Sequence, residues 1–71
     1  MSAEIATRLG ARVKTLRHRI NAKQAGFGGL SASVVSKLEN GLSVPSLEKL
    51  DQIAKELRVP LAELFRFDSV K

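Results

Sequence analysis

Apolar residues Ile5, Leu9, Val13, Leu16 and Ile20 recur at three- and four-residue steps, the spacing of a single helix face, and predict a first helix over residues 2–20. Ser2 is placed to cap it, and Glu4 lies near the positive end of its dipole. Arg8, Arg12, Arg17 and Arg19 fall off the apolar stripe. Gly10 lowers helix propensity by up to about 1 kcal/mol relative to Ala and suits a close approach by another helix. Residues 21–29 carry the weakest pattern. Asn21 is a candidate cap for a short second helix over residues 22–27, anchored by Phe27, with Gly28 and Gly29 as a turn.

Residues 31–41 predict a third helix with an apolar back and a small, polar front. Ser31 is its N-cap and Gly41 its left-handed terminator. Val34, Val35 and Leu38 share the back, whereas Ala32, Ser33, Ser36, Lys37 and Asn40 share the front. Such a short-chained face fits the DNA major groove, and it equally describes a solvated surface helix. Ser46 caps a fourth helix, whose buried stripe is Leu47, Leu50, Ile53, Ala54 and Leu57. Pro60 ends that pattern and opens a fifth helix over about residues 61–65, with Leu61, Leu64 and Phe65 inward. No run of period two occurs, so the class is all-α. The chain is read as one domain over residues 1–71, with a core at about 4–66 and a tail at 67–71.

Charge sharpens this picture. Of the net +5, residues 1–38 carry +6 and residues 39–71 carry −1, so the excess lies with the candidate groove helix. A one-sided basic field attracts polyanions, nucleic acid ahead of an acidic membrane surface. The chain has no cysteine and one histidine, His18, so neither a thiolate site nor a histidine metal cluster is expected. No stretch approaches a membrane span and no signal-peptide order opens the chain; a cytoplasmic protein without cofactor is expected. The Gly26–Gly29 cluster lacks a following Gly-Lys-Ser/Thr, so it reads as a turn rather than a phosphate loop. No elbow or paired carboxylates suggest an enzyme.

The order of elements resembles the Cro/phage-repressor (XRE-like, lambda-repressor-like) helix-turn-helix family. The resemblance rests on Leu9-Gly10-Ala11-Arg12-Val13 with Leu16-Arg17, on Gly29-Leu30-Ser31 and on Val35-Ser36-Lys37-Leu38-Glu39-Asn40-Gly41. It extends through Pro45-Ser46-Leu47 and Leu57-Arg58-Val59-Pro60-Leu61. It implies a five-helix bundle whose third helix reads the major groove and whose second crosses the backbone. Carried over, Ala32, Ser33 and Lys37 face base edges, Ser36 and Asn40 lie near phosphate or the groove wall, and Lys23 and Gln24 clamp phosphate. Ser31 and Arg17 are further DNA-binding candidates. Arg12 is implied to pair with Glu39. The chain departs from the family in a shortened second helix, and in Arg58 where glycine is usual.

The function expected is a sequence-specific DNA-binding transcriptional regulator, a homodimer on a near-palindromic operator. Phe65, Phe67 and Val70 are the dimer candidates, with closure of the chain's own core as their alternative role. A protein-interaction module or antitoxin component on the same fold, and a basic domain without sequence preference, are the competing readings. No effector pocket is evident from the pattern.

Overall fold

A computed structural model describes residues 3–67. The fold is all-α, with no strand among the described residues. Helix α1 spans Ala3–Arg19, a 3-10 turn spans Phe27–Gly29, α2 spans Ala32–Glu39, α3 spans Leu47–Leu57, and a second 3-10 turn spans Leu61–Phe65. Of the five helical segments expected, three are α-helices and two are single 3-10 turns. Ser2 lies outside the described residues, as do Val70 and most of the tail.

All three α-helices stop in the same way. The residue after each last turn is left-handed: Asn21 (φ 56°), Gly41 (φ 73°) and Arg58 (φ 61°). Paired N–H groups then fold back onto the last carbonyls: Asn21 to His18 and Ala22 to Arg17, Gly41 to Leu38 and Leu42 to Lys37, Arg58 to Lys55 and Val59 to Ala54. This double bond satisfies carbonyls the helix itself leaves open. Asn21 therefore ends α1 instead of capping a second helix. Residues 22–26 form no α-helix, and only the 3-10 turn at Phe27 remains of that element. The starts of α2 and α3 follow expectation: the Ser31 and Ser46 hydroxyls accept from the N–H of Val34 and Lys49, at 3.2 and 3.3 Å.

The core is Leu9, Val13, Leu16, Phe27, Val35, Leu38, Leu50, Ile53, Ala54, Leu57 and Leu64, with one or more residues from every element. Phe27 is its one fully enclosed aromatic ring among the described residues. The short 3-10 turn around it is packed on α3 and tied by the Gly28 N–H, which donates to the Glu56 carboxylate at 3.0 Å. Four residues assigned to apolar faces lie exposed. Ile5, Ile20 and Leu47 sit at or beyond helix ends, where no neighbouring element covers them. Val34 flanks the α2 face beside Leu38 and is 37% exposed, because α1 covers only the Val35–Leu38–Glu39 side.

Gly10 fixes the approach of α2 to α1. A Cβ there would lie 2.2 Å from the Leu38 carbonyl oxygen and 2.9 Å from the Glu39 carbonyl. Those are main-chain atoms, so the helices touch backbone to backbone, and a side chain would push them apart.

Candidate nucleic-acid interface

The outer face of α2 is free of the rest of the chain. Ser31, Ala32, Ser33, Lys37 and Asn40 are exposed, and Ser36 is half-buried. Lys37 and Ser33 make no side-chain hydrogen bond or ion pair among the described residues, so their polar groups remain available. Ser36 and Asn40 are partly committed. The Asn40 amide donates to the Ser36 carbonyl at 2.9 Å and to its hydroxyl at 3.3 Å, tightening the last turn. Ser31 accepts the Val34 N–H and keeps its own O–H to donate. The result is a rod of two turns, roughly 12 Å long at 1.5 Å per residue, with one mobile ammonium among short side chains.

Behind that face lies the structure's buried ion pair. Glu39, at the inner end of α2, faces Arg17 of α1: Arg17 Nε donates to Oε2 and Nη2 to Oε1, the latter at 3.0 Å. The two side chains are 8% and 2% exposed. Arg17 also donates through Nη1 to the Ala22 carbonyl at 2.7 Å and approaches His18 Nε2 at 3.1 Å. The Gln24 amide donates to Glu39 Oε1 at 3.1 Å. Burial pushes the Glu39 carboxyl up, but bonds from Arg17 and Gln24 and the Arg17 and His18 charges outweigh it and hold it below its usual value. The bond to Glu39 raises Arg17 above its ordinary value, against the opposing effect of burial.

Two expectations are corrected here. Glu39 does not pair with Arg12; Arg12 instead donates to Glu63 of the second 3-10 turn, from Nε to the carbonyl at 3.0 Å and from Nη2 to the carboxylate at 3.2 Å. Arg17 is enclosed and fully engaged, so it is removed from the DNA-facing set. The helix period held the signal for both. Gly10 and Arg17 are two turns apart and share a face, so the arginine that meets α2 is the one in register with the glycine. Arg12, two residues past Gly10, faces the other way.

Gln24 is half-buried at Glu39, with one amide N–H still unused, whereas Lys23 is exposed. Phe65 and Phe67 are half-buried, pack against the core and meet edge-on with ring centroids 6.4 Å apart. Part of each ring closes the chain's own core. No described helix is long and apolar enough to cross a membrane.

The sequence pattern of a helix-turn-helix family matches residues 22–64. Among solved structures, the DNA-binding domain of BldD is similar, at 30% identity and a TM-score of 0.80 over 90% of this chain and 97% of that one. The restriction-modification controller protein C.AhdI from Aeromonas hydrophila is similar at 27% identity and a TM-score of 0.81, covering 89% of this chain and 96% of that one. No curated protein sequence matches the chain.

Proposed function

The chain belongs to the helix-turn-helix family, and from that premise we propose that it is a DNA-binding transcription regulator that reads the major groove with the outer face of α2. The observation that carries the reading is the exposed, uncommitted pair Ser33 and Lys37 on a helix whose back is anchored from inside. A groove about 12 Å wide admits an α-helix, and short side chains on its leading face let the helix backbone sit close to the base edges. In this reading Lys37 and Ser33 meet base edges. Ala32 and Val34, on opposite flanks, offer methyl groups to thymine. Lys23, the Ser31 hydroxyl and the remaining Gln24 N–H hold phosphates, and Ser36 and Asn40 stand at the groove wall. No arginine or glutamine offers a bidentate contact from this face, so DNA shape carries part of the specificity.

The proposal includes a two-fold dimer on a near-palindrome, with half-sites roughly 34 Å apart. The exposed part of Phe65 supports a contact at that end of the molecule. Selection of bound duplexes from a random library tests the whole. A near-palindromic consensus is expected. On it, Lys37→Ala weakens binding by about 1–3 kcal/mol if it reads a base, or lowers the salt slope by about 1 if it holds a phosphate. Uniform binding to random duplexes, or a Lys37→Ala, Ser33→Ala double variant that binds like wild type, overturns the proposal.

A further inference from the structure

The basic residues of α1 divide between two faces of the helix, and only one of these faces adjoins α2. Arg8, Arg12 and Arg19 recur at steps of four and seven along one face. With Ala11, Thr15, Arg66 and Phe67 they line an open cleft of about 380 Å³. Gly10 and Arg17, which meet α2, lie half a turn away round the helix. A duplex seated on α2 therefore has the body of α1 between itself and this cleft.

The cleft is rich in cations. No carboxylate among the described residues lines it. Glu63 stands behind, binding Arg12 as described and accepting from Arg66 Nη1 at 3.2 Å, so guanidinium groups from two separate elements are held in place. Arg8 bonds Glu4 at 2.8 Å through one nitrogen. Arg19 has no ion pair or side-chain hydrogen bond among the described residues. Four guanidinium groups thus face two partner carboxylates, and each keeps N–H donors unused.

We propose that this cleft binds a small phosphate-bearing molecule. A phosphate offers the doubly charged, many-lobed acceptor that a planar guanidinium matches with paired N–H groups. The Thr15 hydroxyl adds a further donor. The volume falls in the range that holds a small molecule, and a recess suits such a ligand better than the convex backbone of a second duplex or an acidic protein face. Arg12 and Arg66 are preorganised through Glu63, so less ordering opposes binding at those two groups. This site stands whether or not α2 reads DNA.

The test is a titration of the ¹⁵N-labelled full chain at low ionic strength with inorganic pyrophosphate and, separately, ADP, followed by amide shifts. Arg19→Gln combined with Arg66→Gln removes two exposed cations that hold no core contact, and its melting curve confirms folding. Expected are shifts confined to residues 8–19 and 63–67, with a Kd below about 1 mM, weakened at least about tenfold in the double variant. Lys37→Ala binds the probes like wild type. Tighter binding of ADP than of pyrophosphate extends the site to a ring seated by Phe67. The proposal is overturned by no shift up to about 10 mM, by shifts centred on residues 31–40, or by an unaffected double variant. It also falls if sulfate gives the same shifts at equal concentration, or if the double variant loses duplex affinity as Lys37→Ala does, which would make the cleft a DNA-backbone contact.

Discussion

Glu39→Ala is the perturbation that most directly tests how this small domain is held together. It leaves Arg17, whose side chain is only 8% exposed, without its counter-charge. Removing one partner of a buried pair costs about 3–5 kcal/mol, chiefly because the survivor stays desolvated and unpaired. Arg17 keeps the Ala22 carbonyl as acceptor, which points to the lower end, about 3 kcal/mol. At roughly 0.05–0.15 kcal/mol per residue, a domain of this size has only about 4–10 kcal/mol in total. The loss is therefore a large fraction of all its stability. Each kcal/mol moves Tm by about 4–8 °C in a domain of this size, so far-UV circular dichroism should record a fall of roughly 12–24 °C. Lys37→Ala, on an exposed side chain without a partner, should stay within about 0.5 kcal/mol of wild type. A double-mutant cycle assigns the partner: Arg17 and Glu39 should couple strongly, and Arg12 and Glu39 should not couple at all. If Glu39→Ala melts no lower than Lys37→Ala, or if the coupling lies with Arg12, the buried-pair argument is wrong.

Gly10→Ala should destabilise by about 2 kcal/mol or more, because the new methyl meets Leu38 and Glu39 main-chain atoms that no side-chain rotation can move; unchanged denaturant midpoints would refute the backbone contact. Arg58→Gly should stabilise by about 0.5 kcal/mol, the left-handed strain at φ 61° outweighing glycine's added freedom when unfolded; a lower Tm would contradict this. The pH dependence has a definite sign. The Glu39 carboxyl is held below its ordinary value, so the unfolded chain binds its proton more readily. Its stabilisation is complete above the ordinary carboxyl range of the unfolded chain and is lost as pH falls through the lowered folded value. Glu39→Gln should flatten this acid limb, and an identical acid limb in both proteins would remove Glu39 as its source.

Helix periodicity made α1, α2 and α3 legible, because each has a stripe long enough to repeat and a cap or stop residue at its ends. The second segment was not legible in the same way. Asn21 suits both a helix start and a left-handed stop, and its local sequence does not choose between them. The choice is made by tertiary bonds: Arg17 draws the Ala22 carbonyl inward, and Gln24 reaches Glu39. The partner of Glu39 is likewise set by tertiary contact: Arg17 and not Arg12 reaches it. A family resemblance carries a charge pair by position, whereas the register of Arg17 with Gly10 sets it here. Val34 went astray for a simpler reason: three apolar residues on an eight-residue helix exceed what one crossing with α1 can cover.

Stability and the proposed readout therefore occupy different residues of one short helix. Glu39, Leu38 and Val35 are enclosed, and Glu39 alone draws side chains from α1 and from the segment before the first 3-10 turn onto α2. With the main-chain contact at Gly10, these bonds set the tilt at which α2 leaves the body of the domain. Ser33 and Lys37, six and two residues before Glu39 and on the outer side, share none of those contacts. Substitution there leaves the ledger of burial nearly untouched, since exposed positions away from such features move stability by about 0.5 kcal/mol at most. The outer face can thus change what it contacts while the inner face keeps it at one angle, and a variant that alters both at once must have moved α2 itself.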